Sequence, residues 1–142
     1  MSQYIDRLPI PVPMLDTYAA AQLLLRLALG AMWLSHGLLL KLMTFGVAGL
    51  GRWLGSIGYP GWTAGPLIAA ETLGGLAILL GFHGRWVSLA LLPILVGALQ
   101  IHGGNGWVFT NPGGGWEYPL FLIVASLIHA LLGDGRHALC AA

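Results

Sequence analysis

Four stretches of this chain are apolar at almost every position: about Tyr18 to Leu40, Thr63 to Phe82, Trp86 to His102 and Trp116 to Leu132. A helix rises ~1.5 Å per residue, so a hydrocarbon core of about 30 Å takes about 17 to 25 mainly apolar residues. All four stretches fit that length. The link His83-Gly84-Arg85 is so short that helices two and three must form an antiparallel hairpin. Residues 41 to 62 follow another pattern. Phe45, Val47, Leu50, Trp53, Leu54 and Ile57 recur at helical spacing among glycines, which predicts a short helix lying in the membrane interface. Residues 103 to 115 have no period and predict an aperiodic loop on the same face. Residues 1 to 17, with Pro9, Pro11 and Pro13, read as an irregular lead-in, with Asp16 or Thr17 capping the first helix. The expected fold is all-α: an integral membrane four-helix bundle over residues 18 to 142, with one interfacial helix between helices one and two.

Composition sharpens this picture. Charged residues make up 8% of the 142 positions and hydrophobic ones 57%, against about 25% charged in soluble proteins. Eleven charged side chains cannot cover the surface of a small soluble domain. A disordered chain, a coiled coil and a conventional soluble enzyme are excluded, and the lipid bilayer is the first expected partner. No basic stripe exists, so no nucleic-acid partner is expected. The single cysteine, Cys140, gives no disulfide framework. Arg7, Arg85 and Arg136 flank one side of the bundle and Lys41 and Arg52 the other, which favours both termini in the cytoplasm.

Ionisable residues within the apolar stretches carry the chemistry, because a charge near the bilayer centre costs about 2.5 to 3.5 kcal/mol even on the lenient insertion scale. Arg26 falls roughly 5 Å to one side of the centre of helix one, and Glu71 roughly 2 Å to the other side of the centre of helix two. They are the most economical mutual partners, and a bidentate pair would satisfy both. Gly74 and Gly75 would let helix one come close. Nearer the outer face, His36 lies one turn before the end of helix one, Gln100 and His102 end helix three, and Trp116, Glu117 and Tyr118 open helix four. Antiparallel helices bring these ends to one level. Two chemistries then stand open: a transition metal (copper, iron or zinc) on His36, His102 and Glu117, or the carbonyls of a quinone ring held by these polar groups. His83 and His137 read as solvated, and His129 as a packing histidine bonded to a neighbouring helix backbone. Ser35 and Ser126 read as bonded back within their own helices. No Ser-His-Asp or Cys-His arrangement is persuasive, and Asp134-Gly135 reads as a turn.

The ordered motifs resemble the DoxX family of small membrane proteins. They run Arg26-x-x-x-Gly30, His36-Gly37 before Lys41, Leu54-Gly55-x-x-Gly58-Tyr59-Pro60, Glu71-x-x-Gly74-Gly75, Leu80-Gly81 and Arg85. Gly114-Gly115-Trp116-Glu117-Tyr118-Pro119 and Gly133-Asp134-Gly135 close the set. The resemblance implies a four-helix inner-membrane protein. It also implies a link to quinone-coupled sulfur oxidation, or to membrane partners in oxidative-stress and metal-handling systems. On this reading the chain is a small membrane subunit of a redox system that binds a quinone or similar apolar carrier in an outer-side pocket. Arg26 and Glu71 form its central charge pair; His36, His102 and Glu117 supply hydrogen bonds or protons; Lys41 gives a positive rim; Trp116 and Gln100 lie alongside. The alternatives are a metal-binding accessory protein and a non-catalytic anchor for a soluble partner docking on residues 41 to 62. A protein partner or a second copy is expected, since the chain has no haem motif, flavin fold or redox cysteine pair.

Overall fold

The computed structural model describes residues 12 to 140, with side chains from Thr17 onward. The order is α1 (Val12–Leu34), a π-helical continuation (Ser35–Phe45), α2 (Gly46–Ser56), α3 (Ala64–Leu80), α4 (Gly84–His102) and α5 (Glu117–Leu132). Short 3₁₀ turns precede α3 and follow α4. The first part of the predicted lead-in, residues 1 to 11, lies outside the described residues. From Val12 the backbone is already helical, so neither Asp16 nor Thr17 caps the start. Pro13 falls in the first turn, where an amide N–H would have no helical acceptor and its absence removes no hydrogen bond.

α1 packs against α3 and α5, and α4 packs against the same two helices. The four close into a ring with α1 and α4 across the diagonal. Small residues set the α1–α3 spacing. A side chain at Gly75 would meet the backbone nitrogen of Leu34 at 2.8 Å, and one at Gly30 would meet that of Leu79 at 2.8 Å. Gly74, expected to serve the same contact, faces Leu91 of α4 instead. The core between the helices holds Leu29, Trp33, Ile78, Leu91, Leu95, Leu122 and Ala125. Leu50 and Leu54 hold α2 onto Ala64 and Ile68 at the start of α3.

Burial is reversed relative to a soluble bundle. Leu131 is 81% exposed, Leu24 67% and Leu73 66%, while Arg26 and Glu71 are 3% and 2% exposed. Apolar side chains outside and ionisable ones inside are what a hydrocarbon solvent selects. Three helical stretches (Thr17–Ser56, Gly61–Leu80 and Gly84–Asn105) are long and apolar enough to cross a membrane. α5 is apolar but shorter, 16 residues, or about 24 Å. The predicted α3–α4 hairpin is present, closed by the three residues between Leu80 and Gly84. Residues 133 to 140 run back against it as a strap: Leu139 N–H donates to Leu80 O at 3.1 Å, and Cys140 N–H to Gly81 O at 3.0 Å.

Candidate functional site

At the bundle end opposite that hairpin, a cavity of about 360 Å³ opens between α1, α3, α4 and α5. Trp53, Leu54, Tyr59 and Thr63 of α2 and the following connection also line it. Its walls are largely apolar, with Met32, Trp33, Leu67, Ile94, Leu95 and Leu122 among them. His36, Lys41, Glu71, His102 and Tyr118 are its polar groups.

The π segment positions the first two. A π-helix bonds residue i to i+5, so His36 and Lys41, five apart, lie on one face. On an α-helix they would stand about 140° apart at about 100° per residue. Gly37 lets this segment seat on α3, since a side chain there would meet Thr72 N at 2.8 Å and Glu71 Cβ at 2.9 Å. Lys41 Nζ then donates to both carboxylate oxygens of Glu71, at 2.8 Å and 2.6 Å. Across the cavity the His36 ring stacks on Tyr118 with centroids 5.9 Å apart and planes 22° from parallel. The Tyr118 hydroxyl is buried without a hydrogen-bond partner.

Arg26 does not pair with Glu71. Its guanidinium lies at the hairpin end, donating to Asp134 O at 2.8 Å and His137 O at 3.1 Å. An arginine at that depth is satisfied by carbonyls that the C-terminal strap presents to it, and the carboxylate takes the lysine one residue beyond the expected end of helix one. His102 lines the cavity but its Nδ1 is bonded to Gly113 O at 2.9 Å, which ties the aperiodic loop to α4. Glu117 is not among the cavity residues. Its Oε1 accepts the Phe109 N–H at 2.8 Å and closes the loop on itself. Trp116 packs edge-on against Trp107, centroids 4.4 Å apart. Gln100 is exposed, on a shallow groove with Ile57, Tyr59 and Ile101. Among the described residues no three His, Cys, Asp or Glu side chains come together as a metal ligand set, so His36, His102 and Glu117 do not converge.

The strap builds a second polar cluster that sequence reasoning dismissed. Ser88 Oγ lies 2.8 Å from His129 Nδ1, His129 Nε2 lies 3.4 Å from Asp134 Oδ1, and Asp134 Oδ2 accepts the Gly84 N–H at 2.9 Å. Asp134 is thus more than a turn residue, and His129 is bonded to a side chain rather than to a backbone group. All three side chains are fully buried, and none lines a described cavity. The arrangement is a buried clasp with no approach for a substrate. Ser35 bonds back to Ala31 O at 2.7 Å as expected, whereas the Ser126 hydroxyl has no partner. His83 and His137 are exposed, as read from the sequence. Trp53, Tyr59 and Thr63 were missed as site residues, because only the fold of the 41–62 connection carries them over the cavity.

Apolar helices facing outward, with Arg26 and Glu71 buried between them, define a small helical membrane protein with a cavity at one end of its bundle. The DoxX family model matches residues 21–104, more than half of the chain, and the protein belongs to that family. The match takes in α1 to α4 with His36, Lys41 and Glu71, and stops before Tyr118. Comparisons with curated proteins and with solved structures return no match.

Proposed function

We propose that this protein is a small subunit of a membrane redox system that binds a quinone or a similar apolar electron carrier in the 360 Å³ cavity. One observation carries the reading: the Lys41–Glu71 ion pair, with His36 and His102 beside it, lines a space whose other walls are largely apolar. That space falls within the about 300–1,000 Å³ range of small-molecule sites. The donor set fits a ring with carbonyl oxygens, since the Lys41 ammonium has three donors and Glu71 takes two of them. A bound quinone supplies two-electron, two-proton chemistry; the protein's own groups bind and orient the ring and exclude water. Glu71 and His36 are the groups placed to hold a proton beside it, and Lys41 keeps the Glu71 charge balanced. Arg26 belongs to the clasp and takes no part. The cavity opens on the outer face of the inner membrane, with both termini in the cytoplasm, and electrons come from a partner chain.

Trp33 and Trp53 line the cavity and report on it. Titration of the reconstituted protein with a short-chain ubiquinone is expected to give saturable tryptophan quenching, and Glu71→Gln to weaken it at least about tenfold. Quenching that rises linearly and equally in both proteins would overturn the reading.

A further inference from the structure

Of the six Lys and Arg residues in the chain, only Lys41 is a lysine. Its position makes that choice informative. Arginine's planar fork is the better partner for a buried carboxylate, whereas lysine shifts its protonation readily when buried and is the residue of Schiff-base chemistry. The chain places its one side-chain amine against the buried carboxylate, at the wall of its apolar cavity. Arg26, which has the fork, is bonded to backbone carbonyls elsewhere. The Lys41 side chain is 19% exposed and that of Glu71 3%, and both residues line the cavity. A permanently ionised structural pair would need neither a lysine nor an adjoining hollow.

We infer that Lys41 captures carbonyl ligands, forming a reversible imine with an apolar aldehyde or ketone seated in the cavity. Glu71 takes one proton from the Lys41 ammonium, freeing the nitrogen lone pair to attack the carbonyl carbon. The new C–N bond pushes the carbonyl pair onto oxygen, which collects a proton from the nitrogen. Glu71 returns its own proton to that oxygen, the C–O bond breaks, and water leaves. What remains is a C=N–H⁺ group facing the Glu71 carboxylate. One water is released, no electrons change hands, and the charge pair is the same before and after. An adjacent general base can activate a nucleophile, and here the same carboxylate then serves as counter-ion to the imine. This inference shares the cavity with the quinone reading but not its chemistry, so either can stand without the other.

The test uses the full-length protein in mild detergent with cinnamaldehyde and cyanoborohydride, read by intact mass and peptide mapping. The expected result is one alkylation per chain at Lys41, at least about tenfold faster than at the N-terminal amine, because the cavity holds the two groups together. Gly97→Phe separates cavity capture from general reactivity: Gly97 lines the cavity, and a Cβ there meets no atom within 4 Å. The variant should fold and lose the rate advantage. Glu71→Gln should slow labelling and shift the absorbance of the unreduced adduct to shorter wavelength. Lys41 labelling no faster than the N-terminal amine would overturn the inference, as would an unchanged rate in folded Gly97→Phe.

Discussion

Lys41 Nζ lies 2.8 Å and 2.6 Å from the two carboxylate oxygens of Glu71, joining the π-helical end of the first spanning stretch to the third helix. Three consequences follow from where that pair sits. It neutralises a buried carboxylate, it fixes the two elements in register, and it puts a polar patch in an apolar wall.

Removing one partner should cost far more than removing both. Lys41→Met leaves a buried carboxylate uncompensated and is expected to lower stability by about 3–5 kcal/mol. The double variant Lys41→Met/Glu71→Leu should recover most of that loss. Thermal unfolding in detergent, run as a double-mutant cycle, measures it; equal losses in single and double variants would contradict a coupled pair.

Gly75→Leu should force α1 and α3 apart. Its first side-chain atom would already stand 2.8 Å from the Leu34 nitrogen, and backbone there cannot move aside as a side chain could. Overpacking of this kind costs about 1–3 kcal/mol or more. Gly97→Leu, in open space on α4, is the contrast and should keep its melting temperature within a few degrees.

Arg26 holds the strap rather than the ligand. Arg26→Leu removes the donors to Asp134 O and His137 O, and residues 133 to 140 should become open to carboxypeptidase while the quenching titration stays unchanged. Lost quenching with a protease-resistant C-terminus would return Arg26 to the site.

Ser88→Ala tests the clasp. Deleting the hydroxyl leaves His129 Nδ1 buried without its partner, at a cost of about 1–3 kcal/mol, and should alter neither quinone quenching nor Lys41 labelling. A change in either with stability intact would mean that the two polar clusters communicate.

The histidine, lysine and glutamate of the site were legible as ionisable groups in apolar surroundings, but their pairing was not. Depth along straight helices matched Glu71 with Arg26, because each lies near a helix centre and an arginine can reach. That estimate could not include the strap, whose carbonyls reach Arg26 only after residues 133 to 140 fold back on the hairpin. Glu117 and Trp116 were placed at the right level of the bundle, yet the loop uses both for its own closure. Ser88, His129 and Asp134 are 41 and 5 residues apart in sequence, too far for any motif to join the serine to the other two.

Sequence by itself determined the solvent and the topology. Runs of apolar residues of bilayer length admit only helices, since no other single segment satisfies its backbone in hydrocarbon. The short His83-Gly84-Arg85 link turns the chain back on itself, and Gly75 marks where α3 meets α1. The tertiary structure decided which charge meets which. A π-helical winding moves Lys41 onto the face of His36, whereas α-helical counting would put the two about 140° apart. Side-chain identity is written in the chain, whereas its azimuth depends on backbone winding and on the neighbours that stabilise it.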